Sequence, residues 1–463
     1  MVRWSAFFFF LALIAGAGAY VAAGRTTPPT LSIDQPTGPI GQSGTLQVTA
    51  QVSRALFARL DATLEQNGKV FPLYSQGAGD QSGVKRSGAD TLIITRAIGK
   101  AALPELQQGP ARITVTAART SFLRLREVVA TVSKEVDVRL EPPRIAVLST
   151  KHYVNHGGSE MVVYRATPPD VTSGVRVGSV EYRGYPASGA GIPNADPSLK
   201  VAFFALLHDQ PLNEKIVAFA RDAAGNEVTS SFVDDVFEKP FRKSRIPIDD
   251  RFLGRVVPEI LQHSPQVKVD NPSDLLAGFL KVNGDLRRIN AEQIMTLTAG
   301  SVPQLLWQGP FVQLGNSKVE AAFADARTYV YNGKDVDQQT HLGFDLAVTA
   351  AVPVVAANSG KVLQADWLGI YGNCVIVDHG LGVASLYGHL SSIDVKPGDT
   401  VTKGQTLGRS GMTGLAGGDH LHFTMLVGGH PVNPVEWWDA HWMQDRVERK
   451  LVEAGAPAGA ATR

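Results

Sequence analysis

Short apolar runs that alternate with polar residues and end in Gly, Pro, Asn or Asp recur along most of the 463 residues, and this punctuation constrains the fold more than any other feature. Residues 45–50, 91–94, 111–116 and 136–140 are such runs, and their period of two with regular turns predicts a β-sandwich-like module over 27–141. Comparable runs continue over 142–245 as a second β-module. Between 246 and 305 the apolar period changes: Phe252, Val256 and Ile260, then Leu275, Leu276, Phe279 and Leu280, recur at spacings of three and four, which predicts amphipathic helices in a linking segment. Asp270-Asn271-Pro272-Ser273 is expected to stop the first helix and cap the second. Strand-like runs return over 306–440, and 441–463 is expected to hold the end of an amphipathic helix over 435–452 followed by a disordered Ala/Gly-rich tail. The chain is thus expected to be mainly β and too long for one hydrophobic core.

Charge and cysteine content narrow the setting. Lys and Arg number 44 against 43 Asp and Glu, so no net field gathers a polyanion and nucleic acid is not an expected partner. Cys374 is the only cysteine, a usage suited to an oxidising compartment. Arg3 precedes an apolar stretch over 6–23, read as a signal peptide or membrane anchor within 1–24; small residues at 17–19 and 21–23 leave cleavage open. The expected location is the periplasm or cell envelope, with the segment anchored in the inner membrane. The close of the second β-module, a strand over 216–222, a turn over 223–226 and a returning strand, resembles bacterial immunoglobulin-like repeats.

Seven of the eleven histidines lie between His341 and His441. Read as a strand, the segment 341–347 turns His341, Gly343 and Asp345 to one face and Leu342, Phe344 and Leu346 to the core. Likewise, 420–425 turns His420 and His422 one way and Leu421, Phe423 and Met425 the other. Two such strands side by side make a metal site, since imidazole nitrogens and a carboxylate are the donors that zinc takes, with one position left for water. Spacing alone does not say which imidazole of the 420/422 pair is the ligand.

Three segments, His341-Leu342-Gly343-Phe344-Asp345-Leu346-Ala347, Tyr387-Gly388-His389-Leu390 and Gly418-Asp419-His420-Leu421-His422-Phe423, resemble the signatures of the M23 (lysostaphin-type) zinc metallopeptidases, in the family's order. The stretches 372–380 and 395–401 suit the strands and turns between them. The resemblance implies an antiparallel β-sheet peptidase domain over 306–440, with Zn2+ held by His341, Asp345 and His422, and with His389 and His420 handling protons and stabilising the oxyanion. It also implies hydrolysis of peptide cross-links in bacterial peptidoglycan by metal-activated water. Because some members lose ligands and activate a separate cell-wall amidase, an envelope regulatory protein is the alternative, and an envelope protein regulator a candidate partner. The filled ligand positions here favour catalysis.

Other residues read as structural. His379 and His430 suit turns, Cys374 a buried site, and Trp437 and Trp438 packing. The glycine-rich run 408–418 lacks a Gly-Lys-Ser/Thr ending and reads as a loop beside the metal. The turns around Lys396 and Lys403 resemble lipoyl and biotinyl carrier half-barrels, but neither lysine sits at the hairpin tip that modification needs. Arg327, Tyr329 and Tyr331 are candidates for substrate contact, and Thr424 stands where the family often has Glu.

Overall fold

The computed structural model describes residues 2–23, 27–78, 81–121 and 126–457. Residues 458–463, most of the tail expected to be disordered, and 24–26, where the first segment ends, lie outside that range. The chain is mainly antiparallel β, as its punctuation predicts, and divides into two compact units, 1–143 with 221–227, and 144–220 with 228–463.

In the first unit, the helix Val2–Ala23 leaves Phe7 to Phe10, Leu11, Leu13 and Ile14 exposed. Among the described residues no helix is long and apolar enough to cross a membrane, so the expected anchor finds no support here. The strands that follow form two four-stranded sheets. Alternation does the work: Leu46, Val48 and Ala50 on one strand and Leu60, Ala62 and Leu64 on another are buried in one core with Ile113, Val115 and Ala117. The last expected run, 136–140, is the end of a longer strand, Arg126–Val138.

The second unit opens with a two-sheet module over 144–220 and 228–231, in which the strands Ile216–Arg221 and Glu227–Ser231 are neighbours in one sheet. The segment expected to be helical from 246 starts as a strand, Lys243–Ile248, running parallel to Asp325–Tyr331. Asp249 then caps the helix Asp250–His263 by accepting from the Phe252 amide, and Leu253, Val256, Val257 and Ile260 form its buried face. The next helix, Leu275–Lys281, is capped by Asp274, which accepts from Ala277 N, rather than by Ser273. Asp274 is the residue three positions before a free amide, the reach a capping carboxylate needs.

The peptidase-like region is a sheet whose central strands run in the order Lys318–Ala321, Phe344–Ala347, His420–Val427, Val383–Leu390, Asn373–Gly380 and Gly360–Trp367. Its core is continuous with that of the preceding β-module: Phe203 of the module packs against Trp307 and Trp437. The expected helix over 435–452 is broken at Asp439, which caps the second piece at His441 N. That piece brings Lys450 into the module, where its ammonium, fully buried, donates to Glu160 Oε1 at 2.8 Å and Met161 O at 2.9 Å. Glu436, also buried, accepts from Asn155 Nδ2 and Ser159 N at 2.7 Å each, and Trp437 Nε1 donates to Ser159 Oγ. A buried pair of this kind adds little net stability but is expensive to halve. Lys450→Ala is therefore expected to cost the second unit about 3–5 kcal/mol, read from its urea midpoint, whereas Glu160→Gln with Lys450→Met recovers most of that loss.

Candidate metal centre

Register builds the site. Strand Phe344–Ala347 pairs antiparallel with His420–Val427 so that Asp345 lies opposite His422 and Ala347 opposite His420. On the other side of His422 stands Gly388, which brings His389 to the same end of the sheet. The expected continuous strand 341–347 is not one strand. His341 ends Lys334–His341, an edge of a separate three-stranded sheet, and Asp345 belongs to the large one. The chain crosses between them at Leu342 and Gly343, and Leu342 is only half-buried. A Cβ at Gly343 would lie 2.6 Å from both the His422 ring and Thr424 Oγ1, so a side chain there would displace the imidazole.

Three donor atoms converge. His341 Nε2 lies 2.9 Å from Asp345 Oδ1 and 3.1 Å from His422 Nδ1, and His422 Nδ1 lies 3.0 Å from the same oxygen. A first-row divalent ion bound tetrahedrally at about 2.0–2.2 Å separates its donors by roughly 3.3 Å, so the trio can hold a metal ion with small adjustments. The other ring nitrogens fix the tautomers. His341 Nδ1 faces Ala322 O at 3.2 Å, an acceptor only, so that nitrogen carries the proton and Nε2 keeps its lone pair. His422 Nε2 donates to Thr424 Oγ1 at 3.0 Å, and that hydroxyl donates to Leu342 O at 3.0 Å. Thr424 thus supplies the supporting contact that its departure from the family's Glu had put in question.

Arg327 completes the carboxylate's surroundings. Its Nη2 donates to Asp345 Oδ2 at 2.8 Å, leaving Oδ1 to the histidines. Tyr329 and Tyr331 are not at the site: Tyr329 is buried against Phe279 and the Tyr331 hydroxyl donates to Asp250. Burial pulls the Asp345 carboxyl upward, but the surrounding histidines, His341 foremost, outweigh it and hold it well below the usual carboxylate range. Burial brings His422 down to about 4, which keeps the ring neutral and free of proton competition at pH 7.

His389 and His420 flank the trio, with ring centroids 4.8 Å apart. Each donates its Nδ1 proton to a loop carbonyl at 2.8 Å, His389 to Thr413 O and His420 to Gly418 O. His420 Nε2 stands 3.4 Å from Asp345 Oδ1, outside the tighter trio. His389 has φ 63°, a left-handed conformation that a non-glycine residue adopts at some cost and that turns its ring into the site. Burial, with the charges of His420 and His422, holds His389 well below 6.5; burial pulls His420 the same way, but its hydrogen bond to Asp345 and that residue's charge raise it.

The remaining residues are structural. His379 is buried within strand Asn373–Gly380 rather than in a turn, held by Ser359 O and Ser385 Oγ, and burial lowers it to about 4. Cys374 is buried and its thiol pushed up. Trp437 is fully buried and Trp438 packs on Phe344 and Phe423. In the glycine-rich loop, Gly414 (φ 71°) lets the backbone approach Gly372.

Residues 339–434 match peptidase family M23. Over 96 residues the chain is 40% identical to the peptidoglycan DD-endopeptidase ShyA of Vibrio cholerae, covering 21% of this chain and 22% of that one. Over 95 residues it is 38% identical to the murein hydrolase activator EnvC of Escherichia coli, covering 20% and 23%. The chain thus spans about a fifth of these curated relatives. Among solved structures, the catalytic domain of lysostaphin from Staphylococcus simulans is 32% identical over 26% of this chain and 90% of its own, with a TM-score of 0.23.

Two substitutions probe the convergence. Thr424→Val removes the acceptor for His422 and is expected to weaken metal binding about 10- to 100-fold, with Thr424→Ser close to wild type, as read by competition with a chromophoric chelator. Gly343→Ala is expected to weaken it at least as much while the far-ultraviolet circular dichroism stays unchanged.

Proposed function

We propose, from the match of residues 339–434 to peptidase family M23, that the protein is a zinc-dependent endopeptidase that hydrolyses peptide cross-links of bacterial peptidoglycan. The convergence of His341 Nε2, Asp345 Oδ1 and His422 Nδ1 carries the reading, since two imidazole nitrogens and one carboxylate are a donor set that binds zinc while leaving a position open. Zinc held there supplies an activated water at neutral pH and polarises the scissile carbonyl. His389 and His420 each commit Nδ1–H to a carbonyl and so present Nε2, that of His420 3.4 Å from Asp345 Oδ1, as the nitrogen that would take a proton from the attacking water, return it to the leaving amine, or bind the developing oxyanion. Arg327 orients Asp345 by binding its Oδ2.

The substrate rests on the relatives, of which ShyA is named for peptidoglycan DD-endopeptidase activity. We also propose delivery to the periplasm or cell envelope, supported by the exposed apolar helix Val2–Ala23 as a targeting segment. The likeness to EnvC supports a second reading, an envelope protein that activates a separate amidase. Full-length protein separates the two: wild type is expected to copurify with one zinc per chain and convert cross-linked muropeptide dimers to monomers. His341→Ala is expected to lose the metal and at least about a thousandfold in rate, about 4 kcal/mol of transition-state stabilisation. Zinc-loaded wild type that leaves dimers intact but stimulates an amidase would establish the regulatory reading instead.

A further inference from the structure

The loop that follows Ser410 supplies the carbonyls that orient both flanking histidines, Thr413 O for His389 and Gly418 O for His420. Parts of this loop are well anchored by the peptidase sheet. Thr413 Oγ1 donates to Leu390 O at 2.9 Å and accepts from Asn373 N at 3.0 Å, and Asp419 accepts from Ser410 Oγ at 2.7 Å. Between these anchors Leu415 N donates to Ile370 O at 2.8 Å, and a second grip comes from outside the sheet. Arg255, on the helix Asp250–His263, places Nη2 2.5 Å from Ala416 O and Nη1 3.5 Å from Met412 O. Among the described residues no other side chain donates to either carbonyl. Leu415, between them, packs into the apolar core of the same helices. Only Gly417 and Gly418 separate Ala416 from Asp419, and a Cβ built at either would meet nothing within 4 Å. The position of Gly418 O is therefore set by what grips the backbone on each side of it: Arg255 at Ala416 with the Leu415 N bond before it, and the Asp419 bonds with His420 N donating to Gly411 O beyond.

We propose that Arg255 is a positioning residue for hydrolysis: by binding the Ala416 and Met412 carbonyls it fixes the loop whose carbonyls at Gly418 and Thr413 set the tautomer and direction of His420 and His389. The planar guanidinium suits this task because its fork reaches two carbonyls at once, which a lysine ammonium on a flexible stem does not do with the same fixity. Each imidazole, held by one Nδ1–H bond to the loop, moves with that carbonyl, and a displacement of about 1 Å at a catalytic group costs on the order of a hundredfold in rate. The metal trio has its own supports at Ala322 O, Thr424 Oγ1 and Arg327, none of them on this loop. Arg255 is thereby coupled to proton transfer and not to metal binding. The helical segment, which lies outside the 339–434 match, becomes part of the catalytic apparatus.

The inference rests on the hydrolytic reading above, and its test separates the two. Zinc-loaded full-length protein is assayed on muropeptide dimers as wild type, Arg255→Ala, Arg255→Lys and Arg288→Ala, the last an exposed arginine on the same helical segment that pairs with Glu292. Arg255→Ala is expected to lower kcat about ten- to a hundredfold with KM and bound zinc unchanged; Arg255→Lys is expected to recover part of that loss, and Arg288→Ala to match wild type. In 15N-histidine-labelled protein, the Nδ1–H signals of His389 and His420 are expected to be sharp in wild type and averaged or lost in Arg255→Ala. Wild-type kcat with unchanged imidazole signals in Arg255→Ala overturns the proposal. An inert wild type counts against hydrolysis, and the imidazole signals then decide the role of Arg255 alone. If Arg255→Ala fails to fold, the same two readouts on Arg255→Lys decide it, a variant matching wild type in both overturning it.

Discussion

The pairing of Asp345 with His422 across two antiparallel strands is the constraint from which the rest of the site follows. Side chains on paired strands point the same way only at matched positions, and a slip of one residue would turn the whole set to the opposite face. Leu346, Leu421 and Phe423 make that slip costly: each is buried in the core beneath the site, and the wrong register would bring them into the polar cluster. Hydrophobic burial on one face thus holds the donor geometry on the other. Each buried side chain of that size contributes roughly 1.5–3 kcal/mol, so the register is secured by several times what a misplaced imidazole could recover.

A carboxylate and four imidazoles in one nearly dry place would repel and desolvate one another without a hydrogen-bond partner for each ring. The structure gives every ring one: Ala322 O, Thr424 Oγ1, Thr413 O and Gly418 O. The supports come from different parts of the chain, and the loop that carries two of them is itself gripped from outside the sheet by Arg255. Ile370 N donates to Asn290 Oδ1, and Tyr371, the next residue, lies with its ring 5.3 Å from that of His422. The second β-module shares a core with the sheet that carries the site, and the buried Lys450–Glu160 pair joins the C-terminal helices to that module within one compact unit.

Much of this was legible before any coordinates. Period-two runs marked the strands, since a half-buried strand shows its two faces in sequence, and period-three-and-four runs marked the helices. Alternation placed His341, Asp345, His420 and His422 on polar strand faces and the family resemblance added His389, and the fold brings these residues to one end of the sheet. The errors are equally physical. Alternation over 341–347 looks like one strand, yet Gly343 lets the chain leave one sheet and enter another, and glycine is compatible with both readings. Ser273 and Asp274 are both capping residues, and only the position of the helix axis selects between them.

What the sequence by itself determined is the chemistry: which donors are present, on which faces, and that they suit a metal-dependent hydrolase of family M23. What only the tertiary structure decided is which nitrogen of each ring is free and what holds it. Those supports are backbone carbonyls, a threonine hydroxyl and the side chains of Arg327 and Arg255. A backbone carbonyl is the same group at every residue, so no residue type announces it. The pairings Arg327 with Asp345 and Arg255 with Ala416 join residues 18 and 161 positions apart, respectively. Folding creates those neighbours, and local pattern cannot encode them.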